Sequence, residues 1–455
     1  MGIKQNRALI LEGNMKRVIL TLSLPVMANN FIQTIYNLTD TYFVSKLGTT
    51  EIAAIQFVWP MIFFMMSLGA GVSIAGTSLI SQYSGAADDE MAKKVSGQVI
   101  TFSVVFSIIL GIIGFIITPP LLKIMGATDV FYIYASDFLR LMFIGGPTMF
   151  MMFAYSAIRN GLGDTYRPMK IGGLSVISNI ILDPIFIFTL GLGIKGAALA
   201  TIIARGIFGI YSVWTLFEKN SDFKIEKRHL IIDKNLMLEL LKIGIPSSVG
   251  QSMTSVGFMV LNIFIISFGE ATLTAFAIGN QINGLVLMPA MGIGSALTTV
   301  VGQNLGADNI DRAKKAVKTS MIMATLFLSI GGIPLIYFAE EVIGLFTTDL
   351  EVLRQGTHYL ILITLSIPLM GVFQVFVGTL QGAGKTLYSM GLMTARLWVI
   401  RLPLVILFKN YTNLGETSVW YSMIISNFIV CILGYIIYKS GVWEKKRIES
   451  KFVPA

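Results

Sequence analysis

The sequence is short of charge. Of its 455 residues, 13% are Asp, Glu, Lys or Arg, against about a quarter in an ordinary soluble domain. It has one cysteine, Cys431, which excludes an intramolecular disulfide. Its two histidines, His229 and His358, lie near the ends of apolar runs, and with a single cysteine they make no metal-ligand cluster. No long polar domain interrupts the chain, which argues against an appended soluble module. The run GAGKT at 382–386 lacks the preceding strand and the full spacing of a phosphate loop, so nothing points to ATP as an energy source or to a soluble-enzyme site. Residues 1–15 are polar and the first apolar run is too long for a cleavable signal peptide, so none is expected.

What is present is apolar. Hydrophobic residues make up 54% of the chain and the mean hydropathy is +0.75. Runs of about twenty apolar residues, the length of a bilayer-crossing helix, recur twelve times. They fall at 18–43, 52–80, 95–118, 132–158, 169–188, 194–217, 238–268, 272–301, 318–338, 357–380, 389–408 and 419–438. A transmembrane β-barrel would show short alternating strands instead. The expectation is an all-α membrane protein of twelve transmembrane helices.

The net charge of +9 is a topology signal. Twenty-five of the 34 Lys and Arg fall on the side carrying both termini and every second loop. Five fall on the other side (Lys46, Lys123, Lys195, Arg354 and Lys409), and Arg140, Arg205, Arg396 and Arg401 lie within spans. Cytoplasmic loops carry the basic excess, so both termini are expected in the cytoplasm of a multi-pass protein of the cell (inner) membrane. The basic balance then requires no nucleic-acid partner.

The chain repeats itself at an offset of 221. SQYSGAADDEMAKK at 81–94 meets GQNLGADNIDRAKK at 302–315, with six of fourteen positions identical: Gln82, Gly85, Ala86, Ala92, Lys93 and Lys94 in the first copy. RNGLGDT at 159–165 meets LQGAGKT at 380–386, and Pro25, Gly48, Gly71 and Pro147 meet Pro246, Gly269, Gly292 and Pro368. Each copy holds six spans, so both enter from the same side. Parallel repeats of this kind imply two pseudo-symmetric six-helix bundles around a central cavity. The lobes are expected at 1–220 and 235–455, with 221–234, part of the charged stretch 218–234, as a cytoplasmic linker.

The first span is unusually polar. Asn29, Gln33, Tyr36, Asn37 and Asp40 recur at spacings of three and four, on one helical face. Lipid cannot satisfy that face, so it must look onto protein or a wet cavity. Pro25 lies below it and is a candidate hinge. Of 25 Asp and Glu, only Asp40 and Asp183 lie well inside a span. A carboxylate there costs roughly 2.5–3.5 kcal/mol on insertion scales, and the bland explanation is a structural ion pair or a neutral, hydrogen-bonded acid. Both acids fall in the outer half of the first copy. Thr201 lies at matching depth, about 10 Å down the sixth span at 1.5 Å per residue. Asn179 and Ser175 continue the face of Asp183. Two carboxylates, an amide and a hydroxyl can hold a dehydrated hard cation such as Na⁺, or the pair can bind a proton.

The second copy departs from the first. Asp40 overlays Leu261, and Asp183 overlays Leu404, or Leu402 with a slip of two. Gln251 and Gln374 are the polar residues there. Arg396 reads as pairing between helices or snorkelling, Arg401 as deep enough to face the cavity, and Arg205 as able to pair with Asp183. Among many methionines, Met65, Met66, Met149, Met151, Met152 and Met288 are candidates for soft cavity walls.

Together, the two six-span copies, Pro25 with a polar first helix ending in Asp40, the loop QYSGAADDEMAKK with its copy QNLGADNIDRAKK, RNGLGDTYRP at 159–168, and Asn179 with Asp183 in SNIILDPIFIF make the whole chain resemble the multidrug and toxic compound extrusion (MATE) family. It is most similar to the bacterial branch whose acids lie in the N-terminal lobe. The resemblance implies a cation-coupled antiporter that exports drug-like, lipophilic cationic compounds by alternating access, with antibiotic resistance as a consequence. It places Asp40, Asn179, Asp183 and Thr201 at the cation site. The C-terminal acidic site of another branch is absent. No cofactor is expected beyond the coupling H⁺ or Na⁺. The expected partners are small molecules and the bilayer, and the chain is expected to act as a monomer. A flippase for a lipid-linked oligosaccharide is the alternative; it would more often have extra spans and a strongly basic cavity, and Arg205 and Arg401 are what support it here. A non-transporting sensor is a more distant one.

The partition of basic residues yields a test. In a Cys431→Ser background, a cysteine at Lys195 should react with an impermeant thiol reagent added to intact cells, and one at Asn220 should not. Labelling of Asn220 from outside rejects the topology.

Overall fold

The computed structural model describes residues 2–219 and 221–449; Asn220 lies outside them. Among the described residues there is no strand. A short amphipathic helix, α1 (Ile3–Glu12), precedes the spans. The first half is α2 (Met15–Ser45), α3 (Thr49–Gly85), α4 (Asp89–Ile124), α5 (Asp129–Ile144), α6 (Gly146–Gly161), α7 (Tyr166–Pro184) and α8 (Gly193–Trp214). The second is α9 (Lys234–Ile266), α10 (Glu270–Gly306), α11 (Ile310–Tyr337), the short α12 (Ala339–Gly344), α13 (Leu350–Gly382), α14 (Thr386–Thr394), α15 (Leu402–Tyr411) and α16 (Thr417–Lys439). Eleven continuous helical stretches are long and apolar enough to cross a membrane, and the bent pair α5–α6 makes a twelfth span.

That bend corrects the sequence expectation of one helix over 132–158. The two pieces meet at 45°. The cause is local: Gly145 and Gly146 are weak helix formers, and Pro147 lacks the N–H that would tie the second piece to the first. In the eleventh span, α14 and α15 are joined by a π-helical turn, Ala395–Arg401, and α7 runs into another at Ile185–Thr189, directly after Asp183 and Pro184.

The repeat seen in the sequence is repeated in geometry. Asp88 caps α4 by accepting from the Met91 N–H, and Asn309, 221 positions on, caps α11 by accepting from the Arg312 N–H. Ala87 and Asp308, also 221 apart, are the two non-glycine residues with positive φ among the described residues, and Gly163 and Gly384 take positive φ at matched turns. Two pseudo-symmetric bundles result, with a cavity of about 560 Å³ between them.

The bundles meet reciprocally near the end that carries both termini. The Gln82 side-chain amide donates to the Gly382 carbonyl, and Gln303 donates to the Gly161 carbonyl, at 3.0 and 2.9 Å. Ser78 donates to the Gly382 carbonyl, and Thr299 to that of Asn160. Gly85 lies against the backbone of Gln303, and Gly306 against that of Gln82, so closely that neither position has room for a Cβ. Among the described residues, every hydrogen bond between the halves lies between a mid-depth pair, Ser67–Ser252 at 2.6 Å, and this end. The structure is therefore sealed at the terminal end, while no such bond ties the halves at the other.

One helix belongs to both bundles. The lower part of α2 (Met15, Val18, Ile19 and Leu22) is buried in a core with Ile293, Leu297 and Val300 of α10. Its upper part packs on α7 and α8, where Tyr36 reaches Thr201. Pro25 sits between the two regimes. The 218–234 connection is pinned to α4: Gln98 donates to the His229 and Ile231 carbonyls, and Lys94 pairs with Asp233 at 2.6 Å.

Gly85→Val should force the two halves apart at the terminal end. In a Cys431→Ser background, a cysteine at the fully buried Ser78 should be protected from thiol reagents, and Gly85→Val should raise its labelling rate by about tenfold or more. Equal rates in the two proteins would show that the glycine contact does not hold the seal.

Candidate functional site

The polar stripe of α2 faces α7 and α8, and a pocket of about 140 Å³ lies between them. Asn29, Gln33 and Tyr36 line it from α2, Ser175 and Asn179 from α7, and Thr201 and Arg205 from α8. The helical spacing of three and four explains why the first three point the same way. Asn37 falls one position off that stripe; it is exposed and does not line the pocket.

At the inner end of the pocket the Tyr36 hydroxyl lies 3.1 Å from the Thr201 hydroxyl. The Asn179 amide donates to Asp183 Oδ1 at 3.1 Å and to Thr201 Oγ1 at 3.4 Å. Asp183 is fully buried at 0% exposure. Its Oδ2, and Asn179 Oδ1 beside it, have no hydrogen-bond partner among the described residues. Asp40 is half-buried and within Coulomb range of Asp183 and Arg205. Four oxygen-bearing side chains are thus linked, two of them with buried oxygens left over; neither acid lines the pocket, and Asp183 lies behind Asn179. A buried acceptor without a donor is unfavourable, and a proton or a small hard cation supplies what is missing.

Arg205 does not take the place expected for it. Its guanidinium stacks 5.3 Å over the Tyr36 ring and forms no ion pair with Asp183. The two second-half arginines exchange the places the sequence suggested. Arg401, expected at the cavity, is buried against α16 at 1% exposure, where Nε donates to Ser426 and Nη2 to Asn427, with its guanidinium 5.9 Å over the Phe258 ring of α9. Arg396, expected to pair between helices, lines the central cavity. A π-helical turn carries both residues, and it changes the angular step per residue, so a face counted at the α-helical period is misplaced.

The pocket opens onto the central cavity; Asn29, Phe153, Ser156 and Pro168 line both. Gln251 and Gln374 line the cavity from the second half, and Pro25 from α2. Of the methionines picked from sequence, Met66, Met149 and Met152 line the pocket. Met65 is buried in the core, and Met151 and Met288 line neither space. Met291, Met370 and Met393 line the cavity and were not singled out. Nor were Asn160 and Gln381, which face it from positions 221 apart; the aligned motifs RNGLGDT and LQGAGKT carried that signal.

Comparison with known proteins agrees with the fold. The MatE family model matches residues 25–185 and 246–407. A probable multidrug resistance protein, YoeA of Bacillus subtilis, is 30% identical over 438 residues, 93% of either chain. The multidrug export protein MepA of Staphylococcus haemolyticus is 27% identical, covering 94% of each. A solved outward-facing conformation of a multidrug resistance MATE transporter superposes with a TM-score of 0.90 at 28% identity, covering 95% of this chain and 97% of that one. The chain is a membrane transporter, not an enzyme, and it belongs to the MatE family.

Proposed function

We propose that the protein is a cation-coupled antiporter that exports drug-like compounds, and that Asp183, with Asp40, Asn179 and Thr201, is where H⁺ or Na⁺ binds. The observation that carries this reading is the fully buried Asp183 with an unpartnered Oδ2, hydrogen-bonded to Asn179 of a pocket that opens to the central cavity. The lobes are residues 1–220 and 235–455, joined through 221–234, and the two matches of the family model fall one in each. The terminal, basic face is cytoplasmic in the cell (inner) membrane. The seal at that face then makes this an outward-open state. A single chain contains cavity, site and both lobes, and acts as a monomer.

The mechanism follows from desolvation. A bare carboxylate pair needs a wet pocket, whereas a protonated or Na⁺-loaded pair tolerates a collapsed, drier one. Loading from outside therefore favours movement of α2 onto α7 and α8, which narrows the pocket shared with the cavity and expels substrate. Re-opening inward releases the cation down its gradient. Because α2 is anchored below Pro25 in the second bundle and packs above it on the first, a change at Pro25 shifts the stripe without unpacking either core. The lipid-linked oligosaccharide reading draws less support: of the two arginines behind it, Arg401 lies away from the cavity and Arg205 is stacked on Tyr36 in the small pocket, which leaves Arg396 as the arginine lining the central cavity among the described residues.

Asp183→Asn keeps the shape and removes the titrating or ligating charge. Gradient-driven drug efflux from vesicles should fall about a hundredfold, Asp40→Asn should do nearly the same, and Gln374→Ala should cost much less. Wild-type efflux by Asp183→Asn, still responsive to the gradient, would move the coupling site elsewhere.

Pro25→Ala restores a main-chain hydrogen bond in α2. It should leave thermal stability unchanged or raised and impair transport. Unaltered transport would remove Pro25 from the mechanism.

A further inference from the structure

The second half of the chain buries cations where the first buries acids. Arg396 is 8% exposed and lines the central cavity. Its Nη1 lies 3.1 Å from the Met370 thioether, a weak acceptor, and the guanidinium rests 4.9 Å over the Phe373 ring. Nε is buried with no hydrogen-bond partner among the described residues. Behind it, Arg401 is held by the neutral Ser426 and Asn427, and its own Nη1 is unpartnered.

Among the described residues, no carboxylate of the second half answers these charges. Glu239 is taken by Lys242 and Arg447, Glu351 and Glu416 by Arg354, Asp308 by Lys446, and Glu444 by Lys314. Glu270, Asp311, Glu340, Glu341, Asp349 and Glu449 stand at helix ends or in connections. A buried guanidinium without a counter-ion is strongly unfavourable. One side of Arg396 faces the cavity, which Gln251 and Gln374 also line with neutral amide donors. Ser175, the first-half counterpart of Arg396 at the offset of 221, lies on the acid pocket one turn from Asn179. The cavity therefore has a guanidinium on one wall and, on the other, a polar pocket whose Asn179 is hydrogen-bonded to the buried Asp183.

We propose that Arg396, assisted by Gln251 and Gln374, is an oxyanion subsite for the exported compound, so that the compounds carry a carboxylate, sulfonate or phosphate beside their apolar or cationic body. A planar guanidinium gives a bidentate fit to such a group. The choice of ligand rests on the export reading above; the subsite itself rests on the cavity. It also sharpens the expectation of purely cationic substrates into amphoteric ones.

The test uses the full-length protein in phosphatidylcholine nanodiscs, with a rhodamine zwitterion bearing a free carboxylate and its methyl ester as probes. Wild type should bind the free acid more tightly than the ester. The ratio of the two affinities should fall about tenfold or more in Arg396→Leu and recover in part in Arg396→Lys, which also controls for folding. An unchanged ratio, a preference of wild type for the ester, or no binding of the free acid overturns the subsite. Repeating the titration with phosphatidylglycerol separates sources of the oxyanion: competition by the anionic lipid that Arg396→Leu abolishes assigns Arg396 to lipid and overturns the substrate reading. Gradient-driven efflux is measured in parallel. An Arg396-dependent ratio without coupled efflux keeps the subsite and rejects the antiporter, and coupled efflux with an unchanged ratio does the reverse.

Discussion

Hydrocarbon cannot solvate a polar group, and the architecture is arranged around that constraint. Backbone groups are satisfied inside helices. Side chains that are polar within the spans must find one another, another helix or a cavity. The Gln82–Gly382 and Gln303–Gly161 hydrogen bonds meet the requirement between bundles, because two amides that would be stranded in lipid each find a carbonyl freed at the end of a helix of the opposite half. The same constraint forces the stripe of α2 against α7 and α8. The interface that closes one end and the pocket beside the acids are thus two answers to one problem.

The answers differ in what they face. At the terminal end reciprocal hydrogen bonds and touching glycine backbones hold the halves together, even with Gln303 Oε1, Asn304 Oδ1 and Ser84 Oγ left without a partner among the described residues. Behind the pocket, Asp183 Oδ2 and Asn179 Oδ1 are left over. Unmatched polarity beside a cavity marks a place where an external partner changes the energy balance between wet and dry packing. On the proposed reading, that imbalance is what lets a cation bias one arrangement of the bundles over another.

Much of this was legible in the sequence. The spacing Asn29, Gln33, Tyr36 and Asp40 identified the stripe, and the depths of Asp183 and Thr201 brought them to one level. Periodicity at 3.6 also shows why Asn37 drops out: it is one residue from Tyr36 and about 100° around the helix. Other features were hidden for physical reasons. The break in the fourth span depends on how Gly145, Gly146 and Pro147 respond to packing: Pro368, the counterpart of Pro147, lies inside the continuous α13. The exchange of places between Arg396 and Arg401 follows from a π-helical turn, which no residue pattern announced. Asn160 and Gln381 were readable from the repeat, because aligned polar residues in two copies of one loop face the same central space.

The central claim is that cation and substrate compete through the first-half pocket. The most direct measurement is the substrate dissociation constant of the purified protein as a function of pH at fixed Na⁺, and of Na⁺ at fixed pH. Competition predicts that the logarithm of the constant rises with a slope of about one against the logarithm of the coupling cation's concentration, and that the slope vanishes in Asp183→Asn. A constant that depends on neither cation in the wild type would contradict the account.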